Sequence, residues 1–188
     1  MSSKTWLLFL SQLPTNPSSL RVMVWRRMRG AGAASLQNGV WALPDDPTQR
    51  EFTNNLLTSV QQQGGSGQIF EVQPLSAEVE ADLIARMRAD REQEYIEFNE
   101  GCSDLLGELE KETARSKFTF AELEENEQNL QRLERWLEKI RARDFYPTAA
   151  AQQAADQLNS CRAALETYAA QVYVHQGLDT SSADNPPS

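Results

Sequence analysis

The sequence predicts an α+β protein: a ferredoxin-like βαββαβ domain over residues 1–75, an acidic antiparallel helical bundle or hairpin over 76–178, and a disordered tail over 179–188. Three observations carry this reading. Asn38-Gly39 lies between two short apolar runs, the strongest short-range hairpin signal. Strand-like and helix-like stretches follow one another before residue 75 in the order strand, helix, strand, strand, helix, strand. Beyond residue 76, apolar residues recur at steps of three and four.

Thr5 to Leu13 is continuously apolar and rich in Trp, Leu and Phe, as a central strand requires, and Pro14 stops it. Asn16-Pro17 is a helix start, since the Asn side chain accepts from an orphan amide and Pro sits where no donor is needed. The helix runs to about Gly30. At 100° per residue Leu20, Val24, Met28 and Ala31 share a face, with Met23 and Trp25 at its edges. Arg26 and Arg29 point the opposite way, and Arg21 and Arg27 flank the stripe.

Ala33 to Leu36 and Val40 to Leu43 form the hairpin strands, and Pro44 ends the second. Asp46-Pro47-Thr48-Gln49 then supplies a cap, a Pro at the first helical position and a Gln at the capping-box position. Phe52, Leu56, Leu57 and Val60 mark the buried side of that helix. Gly64-Gly65-Ser66-Gly67 breaks it, and Gln68 to Gln73 alternates as a last strand. The four strands should form one sheet with both helices on one face.

From Ser76 a long helix reaches roughly Ser116, with Gly101 and Gly107 each costing about 1 kcal/mol relative to Ala. Thr119 and Glu122 form a further capping box, followed by the stripe Phe120, Leu123, Leu130, Leu133, Leu137 and Ile140. Asp144 to Pro147 is a turn, and Ala151, Ala154, Leu158, Cys161, Leu165, Tyr168, Val172 and His175 form the last stripe. So strict a period favours coiled-coil-like packing of antiparallel helices.

Charge divides the chain. Six basic against four acidic residues give residues 1–75 a charge of +2, which leaves −11 for the rest of a −9 total. Only the back half is therefore a poor match for phosphate. Two cysteines without metal-ligand spacing point to a reduced, intracellular chain, expected in the cytoplasm. A single histidine, His175, argues against the commoner zinc sites and against His-based triads. The apolar run Trp6 to Leu10 is too short for a signal-peptide core or a membrane span. No glycine-rich loop of enzyme type and no cofactor signature is present, so the expectation is a non-enzyme without cofactor or metal.

Arg21, Arg26, Arg27 and Arg29 are the candidate anion- or DNA-binding residues, because guanidinium groups form bidentate contacts with phosphate and other oxyanions. The plainer alternative is a solvated helix face paired with the acidic helices. Trp25 and Trp41 can stack a base, yet both stand at core-like positions and are expected to pack inside. Cys102 and Cys161 fall on apolar helix stripes, where a thiol behaves as a small hydrophobe. The runs Asp90 to Glu97, Glu108 to Glu112 and Glu122 to Glu127 project along helix exteriors and are expected to be solvated rather than to converge on a cation.

Several stretches resemble the N-terminal domain of the ChrB family of chromate-resistance regulators. They are Trp6-Leu7-Leu8 leading to Gln12-Leu13-Pro14, Pro17 to Val22 with Trp25-Arg26-Arg27, Gly32-Ala33, and Leu36-Gln37-Asn38-Gly39-Val40-Trp41 ending in Leu43-Pro44. Asp90 to Tyr95 is similar to an Arg-x-x-x-Tyr region that follows the sheet in that family. The resemblance implies a chromate-responsive transcriptional regulator or an accessory resistance factor, with operator DNA or chromate as partner; a homodimer belongs to the oligomerisation reading given below. More distantly it points to small CRISPR-associated nucleases with a ferredoxin-like core. Their acidic residue at the end of the first strand is Ser11-Gln12 here, so metal-dependent nuclease chemistry is not implied. A competing reading from the residues is a protein-interaction or oligomerisation module built on the acidic helical hairpin.

Overall fold

A computed structural model describes residues 5–15 and 18–177. The Asn16-Pro17 cap and the tail at 179–188 lie outside the described residues. The elements are β1 (Trp6–Gln12), α1 (Ser19–Gly30), β2 (Ala34–Gln37), β3 (Val40–Pro44), α2 (Pro47–Gln62), β4 (Ser66–Val72), α3 (Ala77–Ala114), α4 (Phe120–Ala142) and α5 (Ala149–His175). The protein is thus α+β, with one four-stranded sheet in the order β2-β3-β1-β4. Each neighbouring pair is antiparallel, Phe9 facing Trp41 on one side and Ile69 on the other.

The chain divides into two compact units. The first comprises residues up to Arg91 together with Ala142–Pro147; the second comprises Glu92–Arg141 and Thr148 onward. In the sheet unit, period-two alternation sends successive side chains to opposite faces. Leu7, Phe9, Trp41 and Leu43 pack with Leu20, Val24 and Met28 of α1 and with Leu56 and Val60 of α2. Trp6, Ala34 and Ala42 pack on the other side with Leu83 and Met87 of α3. Both faces are therefore covered, which explains why β1 reads as an unbroken apolar run.

Turn chemistry is as the residues dictate. Gly39 has φ +78, and a Cβ there would lie 2.4 Å from the Ser11 carbonyl oxygen, so only glycine lets the hairpin approach β1 this closely. The Ser11 amide donates to the Gly39 carbonyl at 2.7 Å. Asp46 caps α2 by accepting from the Gln49 amide at 2.9 Å, with Pro47 at the first helical position.

The turn expected at Asp144 to Pro147 lies within the segment Ala142–Pro147, which also fills the core of the sheet unit. Phe145 packs against both sides of that core, and Tyr146 stacks on Trp6 with ring centroids 6.2 Å apart. Gly32, at φ +80, makes room: a Cβ there would stand 2.5 Å from the Arg143 carbonyl oxygen.

The helical unit has its own core, in which Tyr95, Phe98, Cys102 and Leu105 of α3 meet Leu133, Leu137 and Ile140 of α4 and Leu158, Cys161 and Leu165 of α5. Tyr168 donates from its hydroxyl to the Lys117 carbonyl at 2.6 Å, fixing α5 against the turn that precedes α4.

Candidate functional site

The four arginines of α1 do not share a fate. Arg29 pairs with Asp90 at 2.9 Å, so its charge is answered within the sheet unit. Arg27 is half-buried, donates to Ser59 Oγ at 3.3 Å and lies 5.9 Å from the Phe52 ring centroid. Arg21 is exposed and donates to the Thr15 carbonyl at 2.7 Å, a contact that leaves other guanidinium donors available. Arg26 is exposed on the water-facing side of the helix.

Arg21 also lines a cavity of about 590 Å³ at the end of β1. One wall is α1, with Arg21, Val24 and Trp25; the opposite wall is the β2–β3 hairpin, with Ser35, Gln37, Asn38, Gly39 and Trp41; Ser11, Gln12 and Leu13 complete it. The wall is fixed by the Ser11 to Gly39 backbone bond, and Ser11 Oγ adds a second donation to the Gly39 carbonyl at 3.3 Å. Arg21 is the charged residue among the described lining residues, and no carboxylate joins it.

The tryptophans part company here. Trp41 is buried, as its core-like position implies. Trp25 is not: it is 55% exposed and borders the cavity, which corrects the expectation that it packs inside. Its position on the edge of the apolar stripe places it beyond the reach of the sheet, where Val24 and Met28 already fill the interface. Arg21 and Trp25 are one helical turn apart, a spacing that puts two side chains on the same surface and was visible in sequence. The amide side chains of Gln12, Gln37 and Asn38, exposed beside them, carried no such signal.

Other candidates fall elsewhere. Cys102 and Cys161 are buried free thiols in the helical core, Cys161 Sγ donating to the Cys102 carbonyl at 3.5 Å. His175 is exposed, with Nδ1 2.9 Å from the Gln171 carbonyl oxygen and its ring tilted on Phe118. Most of the acidic runs do lie outward, yet Glu112 is only 4% exposed. Its Oε2 accepts from Asn126 Nδ2 at 2.8 Å, and burial, reinforced by Glu122, pushes its pKa up to about 6. Glu122 in turn is lowered by its hydrogen bonds with Glu112 and with Lys117. Among the described residues, no group of three or more His, Cys, Asp or Glu is placed to hold a metal ion, and no helix is long and apolar enough to cross a membrane.

Fold and site together define a two-unit α+β protein whose sheet unit carries a preformed cavity edged by one guanidinium and one open indole. The family model described as "Protein ChrB, N-terminal" matches residues 21–178. The chain belongs to that family. It is 30% identical to Protein ChrB of Cupriavidus metallidurans over 161 residues, which is 86% of this chain and 46% of that protein. The chain spans about half the length of the curated relative it matches. The match takes in α1 from Arg21 onward and the Arg91 to Tyr95 region, where both named side chains are buried.

Proposed function

We propose that the chain is a non-enzymatic, cytoplasmic chromate-resistance protein, a transcriptional regulator or accessory factor, that meets DNA phosphate or the chromate oxyanion through α1. The observation that carries this reading is the ChrB family match, which begins at Arg21 and so includes all four arginines. Within α1, Arg21 and Arg26 are the primary contacts because their side chains face water; Arg27 and Arg29 join only when an anion competes with Ser59, Phe52 and Asp90. The antiparallel order β2-β3-β1-β4, with α1 and α2 on one side, supports reading residues 1–75 as a ferredoxin-like platform and 76–178 as the helical domain. Titration with chromate and with operator DNA at two salt concentrations tests the function: DNA affinity must fall as salt rises, and the Arg21→Ala, Arg26→Ala double variant must lower it. Affinity indifferent to both salt and the arginines would remove the proposal.

A second reading is an interaction or oligomerisation module using the acidic helices. It is favoured by exposed Phe120, Tyr173 and Val174 on the helical unit, where Phe120 and Tyr173 meet edge to face at 5.7 Å. Light scattering coupled to size exclusion separates dimer from monomer, and deleting 119–175 is expected to abolish assembly.

A further inference from the structure

We infer that the cavity beside α1 binds a nucleotide, its heteroaromatic ring stacked on Trp25 and its phosphate held by Arg21. This shares Arg21 with the proposed function but stands on the indole, for which a chromate or backbone-phosphate role has no use.

Five observations lead to it. An indole that is 55% exposed keeps a large apolar face in water, although a residue of this type normally contributes its area to a core or an interface. That face borders a cavity of about 590 Å³, inside the range of about 300–1,000 Å³ typical of small-molecule sites and ample for a ring with sugar and phosphate. A cation stands one helical turn away on the same wall, anchored by its donation to the Thr15 carbonyl while retaining donors for a phosphate oxygen. The remaining lining offers the amides of Gln12, Gln37 and Asn38 and the hydroxyls of Ser11 and Ser35, donors and acceptors suited to a base edge and a sugar. In a chain of net charge −9, the described lining contains no carboxylate to repel an anion.

A bare oxyanion would satisfy Arg21 and leave the indole and the amides unused. A bare aromatic ring would leave the guanidinium unused. A ligand joining a flat ring to a phosphate at about sugar length engages both. Two sources share that chemistry: a free mononucleotide, and an unpaired nucleotide in a single strand.

Isothermal titration of the full chain with adenosine monophosphate tests the inference, with adenosine, ribose 5-phosphate and a short oligodeoxyadenylate as companion probes. The whole nucleotide is expected to bind more tightly than either half. Trp25→Leu, at a position exposed enough to leave the fold intact, is expected to weaken it roughly 5- to 150-fold, and Trp25→Phe to retain most of the affinity. Arg21→Gln is expected to weaken the monophosphate and leave adenosine unchanged. Tighter binding of the monophosphate marks a free nucleotide, tighter binding of the oligonucleotide an unpaired one in a strand, and either supports the inference. Ribose 5-phosphate binding as well as the monophosphate, indifference to Trp25→Leu, or no binding of any probe would overturn it. Chromate titrated alongside separates this from the preceding proposal, because its binding rests on guanidinium charge and is expected to survive Trp25→Leu.

Discussion

Arg29 on α1 and Asp90 on α3 form an ion pair of 2.9 Å in which each side chain keeps about a third of its surface, 37% and 33%, in water. Such a pair contributes little to stability, about 0–1 kcal/mol, but it decides how many charges α1 offers to an anion. Asp90→Asn is therefore expected to shift the urea midpoint only slightly while releasing Arg29. If α1 meets phosphate, the variant binds DNA more tightly and with a steeper dependence on salt, read from fluorescence anisotropy at two ionic strengths.

Glu112 makes stability depend on pH. Its ordinary value of 4.5 is raised to about 6 in the folded protein, chiefly by burial. The protonated carboxyl is thus favoured by folding: its contribution is complete below about pH 4.5 and is lost as pH rises through 6. Glu112→Gln keeps an acceptor for Asn126 without the charge, and is expected to flatten this fall and to stabilise the protein at pH 7–8 by about 2 kcal/mol at most. Thermal melts from pH 4 to 8 give the comparison.

The two thiols should be inert in the native state. Neither sulfur is exposed, and access decides: the hydrogen bond with Cys161 and burial push the Cys102 thiol up, whereas the same pairing pulls the Cys161 thiol down without opening it to a reagent. A thiol-specific chromogenic disulfide at pH 8 is expected to modify neither cysteine until denaturant is added, then both. Fast labelling of folded protein would contradict this packing.

Gly32 is the most constrained position of the sheet unit beyond the hairpin. A side chain there meets both an unfavourable φ of +80 and the Arg143 carbonyl oxygen at 2.5 Å. Gly32→Ala is expected to cost about 2 kcal/mol or more, measured as a lowered urea midpoint with unchanged slope. Gly64, also at positive φ but with open space around a Cβ, is the control that isolates the backbone term.

Local chemistry was the legible part of this chain. Asn38-Gly39 turns the hairpin, Asp46-Pro47 starts α2, and Thr119 accepts from the Glu122 amide at 3.3 Å at the head of α4, because each depends on residues a few positions apart. What escaped depends on partners distant in sequence. Trp25 sits at the margin of a stripe, and nothing local says whether the neighbouring wall reaches it. Glu112 looks like one more exterior carboxylate until Asn126, fourteen residues later, folds over it. The Arg cluster read as a unit, whereas Ser59 and Asp90 divide it into engaged and open members. The cavity itself arises from the approach of α1 to the hairpin, and only the Arg21 and Trp25 spacing hinted at its contents.

The stacking of Tyr146 on Trp6 ties the first strand to a residue 140 positions later in the chain. During synthesis the sheet can pair its strands early, but one side of Trp6 waits for the polypeptide that follows α4. A chain cut after Arg91 would keep every strand and both covering helices and still show an open aromatic surface to chaperones and to other copies of itself. The sheet unit is therefore closed only once Phe145 and Tyr146 have been made, although all of its strands lie in the first 72 residues.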